Sequence, residues 1–230
     1  MLFHRWHPQL YLRYAPIVDY VKKLPDSEKL SILEVGPGSL GIGPYLNQKF
    51  TGVDVNFAGP NWPQMTKIVA TSKALPLQNK SFDIVICTDT LEHIPPESRH
   101  SVITELLRVT KSDLILAFPF GKGAAQQDQE LDQLYRHRFG QPFPFLTEHI
   151  RYELPDTDQV KTWIEPVGEV NILTKRNLKL RSWLMAGWMT KNLFIDLFFR
   201  KILLLFLPLL KLLDQSPPHY RVYFFVKINA

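Results

Sequence analysis

The chain has 230 residues, of which 45% are hydrophobic and 21% charged, and this composition excludes a disordered or fibrous protein. Its single cysteine, Cys87, excludes a disulfide framework within the chain and a zinc site built on cysteines. The formal net charge of +5 suits an anionic partner but carries no information about the fold. We expect one domain in a reducing, cytoplasmic setting, because no linker or repeat divides the chain and residues 1–10 lack the apolar stretch of a secretory signal.

The first half of the chain alternates between strand-like and helix-like segments. Its β-branched runs are nearly continuous in apolar residues, which is typical of strands covered on both faces of a sheet. A helix that begins near Pro96 separates the last two runs, so those two strands should be parallel. Residues 57–65 are too short and too rich in glycine and proline for a crossover helix. The predicted strands cover 31–36, 50–56, 66–71, 82–89 and 113–119.

The second half of the chain is less regular. A helix over 124–138 should end at Gly140, and an aromatic segment broken by prolines follows it. Asp156 with Gln159 three residues later predicts a capped helix up to Glu165. A strand over 170–174, an apolar helical region and a final strand over 220–228 complete the chain, and Pro208 should kink or end the apolar helix.

The turn after the first strand carries the first chemical signal. Gly36, Gly38 and Gly41 allow a ligand to approach the backbone closely at the start of a helix, where unpaired N–H groups favour anions. Asp54 follows at the end of the second strand, where a carboxylate can accept hydrogen bonds from both hydroxyls of a ribose. Alone, these residues indicate an adenosine-containing cofactor, and they also fit a nicotinamide-dependent oxidoreductase.

The order of four sequence motifs, of which the glycine turn is the first, narrows the choice of cofactor. The segments LEVGPGSLG at 33–41, GVDVN at 52–56, LPLQNKSFDIV at 75–85 and TDTLEHIPP at 88–96 occur in order. Together they resemble the class I S-adenosylmethionine-dependent methyltransferases of the small-molecule "type 11" kind, over about residues 31–119. The resemblance implies an α/β, Rossmann-like, doubly wound and mostly parallel seven-stranded sheet with helices on both faces and an antiparallel last strand. It also implies S-adenosylmethionine as cofactor.

The resemblance assigns roles by position. Glu34 matches the acid that organises the methionine end of the cofactor, and Asp54 would hold the ribose. Thr71 and Ser72 stand where relatives recognise the adenine, and Gly41 lies one position after the usual third glycine. The predicted cofactor-binding residues are Glu34, Gly36, Gly38, Gly41, Asp54, Thr71, Ser72 and Asp89.

The acceptor side of the fold is less well defined by the sequence. His93 is a candidate general base, because an imidazole titrates near neutral pH. The alternative is that the LEH segment only shapes the site. The resemblance divides the chain into an N-terminal helical cap over 1–30, a cofactor-binding core over 31–119, an acceptor-side insertion over 120–166 and a helical cover over 175–215. The predicted acceptor pocket contains Glu92, His93, Tyr11, Tyr14, Phe143 and His149.

Other partners follow from weaker patterns. His4 and His7 have helical spacing but no cysteine or acidic partner, so we expect no metal site. The apolar region 193–213 contains charges and is too short in its charge-free part to span a bilayer, so it should cover the site, form a homodimer contact or lie on a membrane surface. A nearby basic cluster of Lys175, Arg176, Lys179 and Arg181 suits the membrane alternative, and nucleic acid is not expected.

The predicted function is transfer of a methyl group from S-adenosylmethionine to a small-molecule or lipid-like acceptor, with S-adenosylhomocysteine as product. Besides the oxidoreductase, the sequence leaves open a non-catalytic binding protein that retains the fold, because Thr71 is not an acid and the second crossover helix is missing. The expected location is the cytoplasm, with peripheral contact at a membrane as the alternative.

Overall fold

The computed structural model describes residues 8–229 of the chain. Its strands are β1 Ile32–Val35, β2 Phe50–Asp54, β3 Met65–Val69, β4 Phe82–Thr88, β5 Thr110–Pro119, β6 Gly168–Asn177 and β7 His219–Ile228. Its helices are α1 Pro8–Val21, α2 Gly43–Leu46, α3 Pro96–Val109, α4 Gly121–Phe139, α5 Pro144–Tyr152, α6 Thr157–Ile164, α7 Leu178–Trp188, α8 Leu193–Arg200 and α9 Leu207–Leu213. Short 3₁₀ turns include Leu91–His93 after β4 and Ile202–Phe206 between α8 and α9. His4 and His7 lie outside the described residues.

The seven strands form one sheet in the order β3-β2-β1-β4-β5-β7-β6. All neighbours from β3 to β5 pair in parallel, whereas β7 is antiparallel to both β5 and β6. The predicted fold class is therefore confirmed, including the antiparallel last strand. Because β1, β2 and β4 are parallel, their carboxyl ends meet at one edge of the sheet.

Both faces of the sheet are covered, as the continuous apolar strands predict. Neighbouring residues Ile32 and Leu33 of β1 pack into different clusters, one on each face. Helices α3 and α6 pack on one face. Helices α1 and α2 pack on the other face. Because the strands are packed on both faces, they fix the positions of the loops at the carboxyl edge of the sheet.

The helix after the glycine turn is shorter than the sequence suggests. Helix α2 has four residues and ends at Asn47, whose φ of 45° is left-handed. The chain then reaches β2 at Phe50 within three residues. The helix predicted after the glycine turn is therefore present but only one turn long. The connection between β2 and β3 contains no helix, as predicted, and it begins with the exposed Val55.

Two prolines that were expected to interrupt helices instead begin them. Pro144 is the first residue of α5, within the aromatic segment predicted to be broken. Pro208 occupies the first turn of α9, and the apolar helix before it has already ended at Arg200. Proline is tolerated there because the first-turn N–H groups have no partner within the helix. Gly140 ends α4 with a φ of 75°, as predicted.

Candidate active site

The glycine turn leaves the carboxyl end of β1 and is bonded to β2. The Gly36 N–H donates to the Val53 carbonyl over 2.8 Å. Gly36 and Gly38 have φ angles of 79° and 58°, which side chains rarely adopt. A Cβ on Gly36 would overlap Thr90, whereas one on Gly38 would meet no atom within 4 Å. The space beside Gly38 is open for a ligand against the backbone.

Glu34 lies in the middle of this arrangement and is fully buried in β1. One carboxylate oxygen accepts a hydrogen bond from the Tyr14 hydroxyl over 2.8 Å, and the other accepts from the Ile42 N–H over 2.7 Å. Burial raises the pKa of Glu34 to about 7. This carboxyl group therefore joins α1, β1 and the glycine turn. A Cβ on Gly41 would overlap it.

Asp54 lies at the end of β2, next to the glycine turn. Its Oδ2 accepts a hydrogen bond from the Gly38 N–H over 2.9 Å, and its Oδ1 accepts from the Asn56 N–H over 3.2 Å. The side chain is half-buried, so it faces both the turn and solvent. Thr71 and Ser72 follow β3, the next strand along the same edge, and Thr71 is exposed. The cofactor residues predicted from β1, β2 and β3 thus line one edge.

Asp89 follows β4 at this edge and has a φ of 51°. The Arg13 side chain on α1 lies 2.8 Å from its carboxylate, and Arg221 on β7 also pairs with it. Burial alone would raise the pKa of Asp89, but the two guanidinium groups lower it below its ordinary value. Asp89 is held as a carboxylate by residues from both ends of the chain.

A second group of side chains begins three residues later. Glu92 is fully buried, and its pKa is raised to about 7 by burial and by the Asp89 charge. Its Oε1 lies 3.9 Å from Nε2 of His149, which α5 carries. Nδ1 of His93 lies 2.6 Å from Oε2 of Glu148. Burial and the positive His149 lower the pKa of His93, so its ring is neutral at pH 7.

Helix α4 carries Asp128, which bonds the His149 ring. Oδ2 of Asp128 lies 2.8 Å from Nδ1 of His149, and Oδ1 of the same group lies 2.8 Å from the Arg181 guanidinium. The hydroxyl of Tyr220 also donates to this carboxylate. Burial alone would lower the pKa of His149, but the hydrogen bond to Asp128 and the Glu92 charge raise it. A cavity of about 650 Å³ between α4, α5 and the start of α6 is lined partly by Asp128 and His149.

The six residues predicted for the acceptor pocket do not form one group. Glu92, His93 and His149 lie together. Tyr11 and Tyr14 instead pack around Tyr45 on α2, beside the glycine turn, and Tyr14 bonds Glu34. Phe143 packs against Tyr135 and Trp188 in a separate cluster. Its neighbour Phe145 contacts the His93 ring, with centroids 5.9 Å apart.

Sequence reasoning missed three charged residues of the site. Arg13 and Arg221 are distant in sequence from Asp89, and no local motif connects them. Asp128 lies on the largely polar α4, where the sequence does not distinguish the buried carboxylates of Asp128 and Asp132 from the exposed Glu130. The available signal for Arg221 was a charge inside the otherwise apolar final strand, because a buried charge requires a partner.

Comparison with known proteins agrees with this geometry. Residues 33–118 match the family model described as a methyltransferase domain. The matched region contains β1 to β5, the glycine turn, Asp54 and the segment 88–96 that carried the resemblance. No curated protein matches the sequence.

Several solved structures share the fold at low sequence identity. A magnesium protoporphyrin IX methyltransferase from Synechocystis PCC 6803, crystallised with S-adenosylmethionine, is 13% identical with a TM-score of 0.53, and the match covers 96% of this chain and 80% of that one. A SAM-dependent methyltransferase from Thermotoga maritima is 13% identical with a TM-score of 0.54, covering 99% and 92%. The YcgJ protein from Bacillus subtilis is 14% identical with a TM-score of 0.53, covering 95% and 99%. These likenesses concern the fold.

Proposed function

We propose that this chain is a class I S-adenosylmethionine-dependent methyltransferase, which transfers the cofactor's methyl group to a small-molecule or lipid-like acceptor and releases S-adenosylhomocysteine. The observation that carries the proposal is the set of carboxylates at one sheet edge, Glu34, Asp54 and Asp89, around an open glycine turn. We assign the acceptor to the cavity that Asp128 and His149 line in part.

The residues at the sheet edge fit the parts of the cofactor. Asp54 presents a half-buried carboxylate that suits the two ribose hydroxyls. Asp89 is a carboxylate between two guanidinium groups, which suits the zwitterionic methionine end. Thr71 and Ser72 follow β3 at the same edge, and we assign them to the adenine. When bound, the cofactor supplies an already activated methyl group, so the chain's main task is to position the acceptor.

His93 is the residue we assign to proton removal when the acceptor must lose a proton. Its ring is neutral at pH 7 and pairs with Glu148, which orients the ring. The hydrogen bond leaves Nε2 as the nitrogen that can accept a proton. A nitrogen or carbon acceptor that reacts without losing a proton first would not need this residue.

Substitution of Asp54 tests the cofactor assignment. We expect Asp54→Ala to weaken S-adenosylhomocysteine binding by about 10- to 100-fold, because hydrogen bonds to a charged group contribute about 1.5–3 kcal/mol. Isothermal titration calorimetry measures the change, and circular dichroism checks that the fold is retained. Glu169→Ala, which removes an exposed carboxylate on β6, should bind as the unaltered chain does.

The same titrations distinguish the alternatives. Binding of NADH but not of S-adenosylhomocysteine would favour the oxidoreductase. A well-folded chain that binds neither would favour a non-catalytic protein. Unchanged affinity in Asp54→Ala would contradict the ribose assignment while leaving the cofactor itself in place.

The surface supports a lipid-like acceptor more than a soluble one. We define the apolar surface as the exposed hydrophobic side chains of α8, the following 3₁₀ turn and α9. Helix α8 has no buried residue, and Phe194, Leu205 and Leu212 are 82%, 77% and 65% exposed. Exposed patches of this kind are typical of membrane or protein contacts. From this exposed surface we propose that the protein rests on a membrane surface. No helix in the described part of the chain is long and apolar enough to cross a membrane.

A further inference from the structure

Glu92, His93 and His149 present metal-binding atoms to one another. Each offers one ligand atom, and these atoms all lie within 4.8 Å of one another. Two of the residues come from the 3₁₀ turn after β4 and the third comes from α5, so the fold brings them together from separate parts of the sequence. Imidazole and carboxylate are the ligands of zinc and related divalent cations.

Glu92 is the most unusual member of this group. It is 0% exposed, and neither carboxylate oxygen receives a hydrogen bond from another residue in the part of the chain that the structure describes. Buried carboxylates are costly unless they are paired or bind a cation. The nearest positive group is His149, whose Nε2 lies 3.9 Å from Oε1 of Glu92, beyond hydrogen-bond distance.

Both histidines are held in the orientation that metal-binding histidines adopt. Nδ1 of His149 lies 2.8 Å from Asp128, and Nδ1 of His93 lies 2.6 Å from Glu148. A carboxylate on Nδ1 fixes a proton there, so Nε2 is the nitrogen left to bind a cation, and the charged His149 releases its Nε2 proton when the cation binds. In metal sites this pairing orients the ring and increases its basicity. The occurrence of two such pairs around one unpaired carboxylate is difficult to explain by packing alone.

We infer that Glu92, His93 and His149 bind a divalent first-row cation of the manganese-to-zinc series, and that this cation binds an oxygen of the acceptor. The second part of this inference, that the cation binds the acceptor, rests on the proposed function. Two imidazoles and one carboxylate leave coordination positions open, and His149 also lines the cavity of about 650 Å³. A hydroxyl bound to such a cation loses its proton more readily. The acceptor class is then a hydroxyl-bearing molecule: its proton would leave to solvent, its oxygen would take the methyl group, and S-adenosylhomocysteine would depart. In this inference His93 is a cation ligand, and this replaces the proton-accepting role assigned to it under the proposed function.

The expectation of no metal site considered His4 and His7, which lie outside the described residues. It did not connect His149 with the LEH segment, because the distance in sequence hides their contact. In a filled tetrahedral site the ligand atoms would be about 3.3 Å apart. Small side-chain rotations toward the cation are therefore required, and His93, which is 22% exposed, has room for them.

Cation binding can be measured without any methyl transfer. The chain is treated with EDTA, and Co²⁺ is titrated while its visible absorption reports coordination by nitrogen; Zn²⁺ is titrated by calorimetry. We expect one equivalent to bind, and Glu92→Gln, His93→Gln and His149→Gln each to weaken binding at least tenfold. The control His137→Gln changes an exposed histidine on α4 and should bind as the unaltered chain does.

Each outcome has a clear meaning. Absence of binding to the unaltered chain, or equal binding by the three variants and the control, would overturn the site. Glu92→Gln keeps the side-chain shape and removes a buried charge, so loss of folding does not obscure the result. S-adenosylhomocysteine is titrated into the same samples. Retained nucleoside binding with lost cation binding supports the site, whereas loss of nucleoside binding in the unaltered chain would contradict the proposed function independently of the cation.

Discussion

The Glu34 carboxyl group couples the cofactor edge to pH. Its burial raises the pKa from 4.5 to about 7, so the folded chain binds this proton more tightly than the unfolded chain. The contribution of Glu34 to folding is therefore greatest below pH 4.5 and decreases as the pH rises to 7. By linkage, the full change is about 3 kcal/mol.

Glu34→Gln should remove this pH dependence. The free energy of unfolding of the unaltered chain, minus that of Glu34→Gln, should fall by about 3 kcal/mol between pH 4.5 and pH 8. Urea unfolding at several pH values measures it. Glu130→Gln, an exposed substitution on α4, reports the background. A difference that does not vary with pH would contradict the assignment of a raised pKa to Glu34.

At the scale of elements, a single buried ion pair joins α4 to α7. The Arg181 guanidinium lies 2.8 Å from Asp128, donates to Gln127 over 2.6 Å and stacks 3.5 Å from the centroid of the Tyr220 ring. Burial alone would raise the pKa of Asp128, but Arg181 lowers it. The pair and the stacked ring therefore connect α4, α7 and β7 beside the cavity that Asp128 and His149 line in part.

Arg181→Leu should strongly destabilise this corner of the fold. It removes one of the two cationic partners of the buried Asp128 carboxylate and leaves His149 as the other, and breaking a buried ion pair costs about 3–5 kcal/mol. Lys161→Ala removes an exposed pair with Glu165 and should cost less than about 1 kcal/mol. Urea unfolding compares the two variants. If Arg181→Leu costs no more than Lys161→Ala, the pair does not hold the helices. Adding Asp128→Asn to Arg181→Leu should recover part of the loss.

The strands were predictable from the sequence, whereas several helix boundaries were not. Continuous apolar runs identified β1, β2, β4 and β5 because burial on both faces is visible in the residue pattern itself. Pro144 and Pro208 were misread for one shared reason. Proline occurs both in the first turn of a helix and where a helix is broken. The residue alone does not distinguish the two cases, because the outcome depends on the conformation of the backbone that precedes it. Helix α2 ends after one turn because Asn47 adopts a left-handed backbone conformation. This conformation is likewise set locally and is not visible in the residue pattern.

At the scale of the whole molecule, the site is completed by contacts that no local pattern contains. Strand β7 inserts between β5 and β6, and this brings Arg221 to Asp89 from the other end of the sequence. Helix α1 brings Arg13 to the same carboxylate. The cofactor edge was predictable because its residues follow successive strands in one motif order. The two arginines that pair with Asp89 were not predictable, because their positions depend on how the complete sheet and α1 assemble.

The charge distribution of the folded chain also changes the membrane argument. The basic cluster predicted before the apolar region does not form a surface. Arg176 pairs with Asp214 and Arg181 with Asp128, and both arginines are buried. Of the four basic residues, Lys179 is exposed and Lys175 is half-buried. The attraction to a membrane should therefore come mainly from apolar burial, with a small electrostatic part.

Vesicle flotation tests the proposed membrane contact. The unaltered chain should float with phosphatidylcholine vesicles, and adding phosphatidylserine or salt should change binding only slightly, because apolar burial depends little on charge. Phe194→Ser, Leu205→Ser and Leu212→Ser together should weaken binding at least 100-fold, since burying each such side chain contributes about 1.5–3 kcal/mol. Val55→Ser with Val69→Ser is the matched control, because these side chains are 70% and 72% exposed away from the apolar surface. If the unaltered chain does not float, and sedimentation shows a dimer that the triple variant disrupts, the apolar surface binds a second copy of the chain instead.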